Sequence, residues 1–379
     1  MTESQLTPEI LQQHPLLALG IVLLAGIFLS LLAGCIAVWT WQLTRYYRGL
    51  PFLPVDTWTP RVWGLADIIL VLMLVVGGQF VAYFVAKGIG IQQAEGETSL
   101  ALAALAGVSN LGVVVLATLW IGVRFRVFPS HIGFTTNVLK VGFIGLLAGL
   151  ALVPIIYLGN AIVSLGMKVD YNHPLIDSVR NDSTATNFLL AVFAAAIVAP
   201  ITEEFLFRGL LQGWLQSIPF RPLLDTLIGR TDGTLTDVSA LQPPGSTQVP
   251  NPIAAPVDSS NPYASGSAAV TPESTEREDV YQSNVVPPIW PSVVAGVLFG
   301  LAHWGYGWSF IPLSLFGFGL GLVYRATHSI WPCVLIHFMM NGTSMVALGV
   351  AAYAQNVAPT DAPEEVAVIL SWLLFVTQG

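Results

Sequence analysis

Two adjacent carboxylates, Glu203 and Glu204, lie in the run Ala199-Pro200-Ile201-Thr202-Glu203-Glu204-Phe205-Leu206-Phe207-Arg208, within a stretch that is otherwise apolar. Ionisable side chains are costly in such a setting and mark functional positions by default. On a helix Glu204 and Arg208 are four residues apart and pair on one face, whereas Glu203 is turned about 100° from Glu204 and can face a different cavity. The two carboxylates therefore have different jobs. Further along, Phe299-Gly300-Leu301-Ala302-His303 closes one apolar run, and His337-Phe338-Met339-Met340-Asn341 lies inside another. His337 and Asn341 share a helical face.

A carboxylate, two imidazoles and an amide converging from three helices suit peptide-bond hydrolysis, which needs a base to activate water and donors aimed at the developing oxyanion. In that scheme Glu203 is the base, with His303 across the water from it, and His337 and Asn341 are the oxyanion donors. Glu204, Arg208 and Phe299 support them. No cofactor is required. The alternative set is zinc held by Glu203, His303 and His337 with one open position, although the His-Glu-x-x-His helix motif is absent.

The elements that must position these residues follow from composition. Hydrophobic residues make up 54% of the 379-residue chain and charged residues only 9%, against about 25% charged in an ordinary soluble domain. The apolar residues gather into runs of about twenty, the length that crosses ~30 Å of hydrocarbon. These runs predict an all-α, polytopic transmembrane bundle of eight spans, near Leu16 to Trp41, Val62 to Ala86, Ser99 to Val123, Val141 to Gly166, Phe188 to Leu215, Ile289 to Trp304, Ser309 to Arg325 and Ile330 to Tyr353. A ninth span or an interfacial helix falls within 364–379. Between 217 and 288 the composition turns to Pro, Ser, Thr, Asn, Asp and Gly, which cannot bury enough apolar area to order itself, and a disordered insertion is expected there. The chain then divides into a four-span region over 1–170 and a site-bearing bundle over 185–352 that the insertion interrupts.

Loop charges set the orientation. Alternating the loops from an external N-terminus puts 11 of the 14 Lys and Arg residues on one side, which the positive-inside rule makes cytoplasmic. The insertion is then cytoplasmic and Glu203 lies near the cytoplasmic half. No basic cluster suits nucleic acid, so the expected partners are the lipid bilayer and a membrane protein, peptide or lipidated peptide substrate. Cys35 and Cys333 sit in apolar runs as small hydrophobes. The glycines of Phe316-Gly317-Phe318-Gly319-Leu320-Gly321 mark close helix packing instead of a nucleotide loop, since no strand precedes them. Asp67 reads as a span residue satisfied by a neighbouring helix or a cavity, and His328 as a loop residue; neither enters the site.

Glu-Glu-x-x-x-Arg, then Phe-x-x-x-His, then His-x-x-x-Asn on successive spans resembles the CPBP family of intramembrane endopeptidases, which includes CAAX prenyl proteases and bacteriocin-processing or immunity proteins. The resemblance covers roughly Asn187 to Val350. It implies a conical cavity open to the cytoplasm and to lipid and a glutamate-activated water, with Glu203 similar to the catalytic glutamate and Glu204 and Arg208 to its supporting pair. His303 is similar to the water-positioning histidine, and His337 with Asn341 to the oxyanion pair. The four preceding spans and the long insertion depart from the family pattern. A competing reading keeps the bundle as a non-catalytic membrane scaffold or regulator.

Overall fold

The computed structural model describes residues 12–53, 55, 58–91, 99–134, 137–167, 177–179, 184–229 and 286–357. Its elements are α1 (Pro15–Tyr47), α2 (Leu65–Gly88), α3 (Leu100–Phe125), α4 (Val138–Met167), a continuous helical run α5 (Ala185–Phe220), the short α6 (Leu223–Ile228), α7 (Trp290–Leu301), α8 (Phe310–Thr327) and α9 (Trp331–Val357). No strand occurs among the described residues. In hydrocarbon every backbone N–H and C=O must be satisfied within its own segment, which helices achieve. The chain is a multi-pass membrane protein with seven helices long and apolar enough to cross a bilayer.

One of the eight expected spans, Ile289 to Trp304, is corrected. Helix α7 has 12 residues, a rise of about 18 Å, which falls short of ~30 Å of hydrocarbon. Instead of crossing alone, it folds back on α8 through the turn at His303 and a 3-10 helix over Trp304–Ser309. Glycines bring the two backbones together: a Cβ on Gly296 would lie 2.5 Å from the Phe318 nitrogen, and one on Gly300 would lie 2.4 Å from the Phe310 carbonyl oxygen. The glycines of α8 are thus packing residues, as their spacing indicates.

The expected start of the disordered insertion is also corrected. Residues 217–229 are folded, because Ser217 and Thr226 are buried and Trp214 Nε1 donates to the Thr226 carbonyl at 2.8 Å. Residues 230–285, where disorder is expected, and 364–379 lie outside the described residues.

One end of the bundle gathers the basic residues. Arg61 donates to the His131 carbonyl and to Tyr324 Oη at 3.1 Å, Arg221 to the Trp63 carbonyl at 2.9 Å, and Arg325 to the Pro287 carbonyl at 2.6 Å. The linker between α1 and α2 is pinned there, with Trp58 and Trp63 buried and the Arg61 N–H bonded to Ser217 Oγ at 2.7 Å. Helix α4 shares a core with the site-bearing helices: Val153, Ile156 and Tyr157 pack with Phe299, Phe316, Ile336 and Met340.

Candidate active site

Helix α5 carries the carboxylates in a short α-helical segment, Ala199–Glu204, flanked by two π-helical stretches, Phe193–Val198 and Phe205–Gln212. Wide turns of this kind recur at functional sites. The first has a cause in the sequence. The Ala199 N–H bonds the Ala194 carbonyl instead of the Ala195 one, and the next residue, Pro200, has no N–H to offer. Ala195 is left without a helical donor, and Asn341 Nδ2 of α9 fills the vacancy at 2.8 Å. Asn341 therefore ties α9 to α5 with one of its two amide hydrogens.

Below that tie, Glu204 is fully buried. Its Oε2 lies 3.1 Å from Arg208 Nε, the pairing its four-residue spacing indicates, and its Oε1 lies 2.9 Å from His337 Nδ1. Glu203, with a side chain 26% exposed, places Oε2 4.0 Å from His337 Nε2, and that oxygen accepts no hydrogen bond. The two carboxylates do not look into separate cavities; they flank the two ring nitrogens of one imidazole. The 100° offset is absorbed because His337 projects between them from α9.

His303, at the end of α7, is held by Nδ1 against the Phe299 carbonyl oxygen at 2.9 Å. Phe299 is the hub of the aromatic packing, with ring centroids 5.1 Å from His303, 5.6 Å from His337 and 5.3 Å from Phe207. The Arg208 guanidinium sits 5.0 Å from the same ring and donates to the Gly317 carbonyl at 3.3 Å. Among the described residues no three His, Cys, Asp or Glu side chains are grouped as a metal's ligands, so Glu203, His303 and His337 are not gathered into a zinc set in this structure.

Sequence reasoning passed over Gln212, which is buried and donates to Ser292 Oγ at 3.0 Å and to the Gly321 carbonyl at 2.8 Å, fixing α5 to the α7–α8 hairpin. Its signal was available: Glu204, Arg208, Gln212 and Gln216 recur every four residues, a polar stripe along one helical face. Asp67, by contrast, has neighbouring-helix partners as anticipated, Trp120 and Arg124 of α3.

A family model described as type II CAAX prenyl endopeptidase Rce1-like matches residues 185–229 and 275–343, less than a third of the chain. No curated protein and no solved structure matches it. Glu203, Glu204, Arg208, Phe299, His303, His337 and Asn341 all fall inside the two matched stretches, over which the chain is similar to the Rce1-like, CPBP-type family of membrane endopeptidases.

Proposed function

We propose that this protein hydrolyses a peptide bond of a membrane-associated substrate near the cytoplasmic face, with water activated by Glu203. The observation that carries the reading is the placement of Glu203 and Glu204 on opposite nitrogens of His337, at 4.0 Å and 2.9 Å. Glu203 takes a proton from a water oriented with His303, the hydroxide adds to the scissile carbonyl, and Glu203 returns the proton to the departing amine. The basic end of the bundle faces the cytoplasm in this reading. His337 lies near that end, about 9 Å along α9 from its first residue.

Glu204 has a defined part in this scheme. A carboxylate paired with Arg208 only accepts hydrogen bonds, so the proton it shares with His337 belongs to Nδ1. His337 then carries a second proton on Nε2 only as an imidazolium, and in that form it joins the remaining Asn341 amide hydrogen in stabilising the oxyanion. Glu204 thus supplies the countercharge that lets His337 act as a donor.

The test is cleavage by the purified full-length chain in liposomes, using reporter peptides with and without a C-terminal isoprenyl thioether. Replacement of Glu203 by Gln abolishes turnover of the preferred reporter while the protein stays folded. Unchanged turnover in that variant would remove Glu203 as the base, and equal cleavage of both reporters would remove a lipidated substrate.

A further inference from the structure

Outside the residues of the site, α2 carries an exposed polar side chain. Gln79 is exposed, and its Nε2 donates to Asn110 Oδ1 of α3 at 2.7 Å. Both residues lie at least nine positions from either end of their helices, about 13 Å of helical rise, which puts the pair at hydrocarbon depth. Water cannot complete its hydrogen bonds there. One bond between two carboxamides uses a single N–H and a single carbonyl oxygen, leaving the Gln79 oxygen and a second Gln79 hydrogen.

The surroundings of Gln79 are ordered in sequence. Ile69, Leu72, Val76, Gln79 and Tyr83 follow one another at alternating spacings of three and four, the spacing of a helix–helix seam. The four apolar members are 44%, 48%, 56% and 46% exposed, while Ile68, Val71, Ala82 and Ala86 are buried. Helix α2 packs on α3 and α6 and leaves the seam uncovered, with a carboxamide at its centre.

We infer that this seam is a self-association surface, on which α2 of a second copy seats in the bilayer with Gln79 bonded to Gln79 across a two-fold axis. A lipid chain offers no hydrogen-bonding group to Gln79. An unrelated helix would need a polar residue at the matching depth, whereas a second copy brings one necessarily. The carboxamide is self-complementary: the oxygen of each copy accepts from the Nε2 of the other, which still donates to Asn110. The buried side of α2 shares a core with Phe205 and Leu210 of α5 through Ile68 and Val71, so a partner on its exposed side leaves both sites uncovered.

The experiment uses the full-length chain, donor- and acceptor-labelled in separate pools, mixed in phosphatidylcholine–phosphatidylglycerol liposomes at decreasing protein-to-lipid ratio. Energy transfer reports a dimer in the wild type, and Gln79→Leu weakens its association about three- to thirtyfold, the range of interhelical polar contacts in membranes. Mild oxidation joins Val76→Cys into a covalent dimer, whereas Val115→Cys, 58% exposed on α3, stays monomeric. Reporter cleavage by Gln79→Leu matches the wild type, showing that the variant is folded. A wild type that is monomeric at every dilution overturns the proposal, as does equal association of Gln79→Leu and wild type. If Gln79→Leu fails to fold, absence of the Val76→Cys crosslink overturns it independently.

Discussion

Asp67 and Glu203 are carboxylates carried on membrane-spanning helices, and they are held in opposite ways. Asp67 is 1% exposed and both of its oxygens are engaged: Oδ2 accepts the Gly64 N–H at 2.9 Å, while Oδ1 accepts Trp120 Nε1 at 3.1 Å and pairs with Arg124. Glu203 keeps an oxygen that accepts nothing, beside an imidazole at 4.0 Å. A saturated carboxylate is an anchor, since any change in its charge or position breaks several bonds at once. An unsaturated one beside a second titratable group can take up a proton without dismantling its surroundings. Burial of charge in a span thus does not by itself mark catalysis; Glu203 differs from Asp67 in its partial exposure and its unbonded oxygen beside an imidazole.

The sharpest way to break this contrast is to neutralise each carboxylate in turn. Glu203→Gln lowers kcat by about 10²- to 10⁴-fold, the contribution of a positioned general base, with little change in resistance to unfolding by SDS. Asp67→Asn does the reverse: kcat of the folded fraction is unchanged, and stability falls by about 1–3 kcal/mol as donors lose their charged acceptor. Equal losses of kcat in the two variants would sink the distinction.

Glu204 stands between these extremes: one oxygen is bonded to the imidazole beside Glu203, and the other lies 3.1 Å from Arg208 Nε without a hydrogen bond. In Glu204→Gln the amide oxygen turns toward Arg208, which only donates, so the amide nitrogen faces His337 Nδ1. That reverses the tautomer and leaves a hydrogen on Nε2 even in the neutral imidazole. Glu204→Gln therefore retains activity within about 10- to 100-fold of wild type. Glu204→Ala, with no donor for Nδ1, loses more activity. The kcat values of the three proteins, with SDS-unfolding curves alongside, separate this positioning role from a general loss of fold.

Backbone contact is the next level down. A Cβ at Gly300 would meet Ser314 Oγ at 2.0 Å and the Phe310 carbonyl at 2.4 Å, while one at Gly142 meets nothing within 4 Å. Gly300→Ala should cost about 1–3 kcal/mol and displace Phe299 and His303, which adjoin it, raising KM and lowering kcat together. Gly142→Ala should stabilise α4 by about 0.5–1 kcal/mol without touching turnover. Thermal melts in detergent with parallel cleavage assays measure both.

Much of the molecule was legible in advance because hydrocarbon removes alternatives: apolar runs of sufficient length become helices, and ionisable residues among them stand out. Seven of eight spans and the ion pair of Glu204 with Arg208 follow from length and periodicity. What did not follow depends on partners distant in sequence. The shortness of α7 is compensated by its glycine contacts with α8, which a run of apolar letters does not distinguish from a crossing. The order of residues 217–229 comes from Trp214, Trp63 and Arg124 capturing their backbone and side chains, although their composition alone is that of a linker. The bond from Asn341 to Ala195 was indicated only by Pro200, whose missing N–H leaves a carbonyl that some other helix must satisfy.

The smallest expected effect concerns the basic end, where folding itself is sensitive to protons. His131 lies in the short 3-10 turn Pro129–Ile132, outside the spans. Burial, then the charge of Arg61, hold its imidazole below the usual value of 6.5, with a hydrogen bond to the Phe128 backbone opposing them. A lowered folded value means that the unfolded chain takes up the proton first as the pH falls. Stability is therefore complete above about 6.5, declines as the pH falls toward the lowered folded value, and has no further contribution from His131 below it. His131→Asn, which does not titrate, removes that part of the decline while leaving the Arg61 bond to the residue 131 carbonyl available. SDS-unfolding curves of both proteins at about pH 5.5 and about pH 7.5 should show a smaller shift in the variant. An identical shift would place the proton uptake elsewhere.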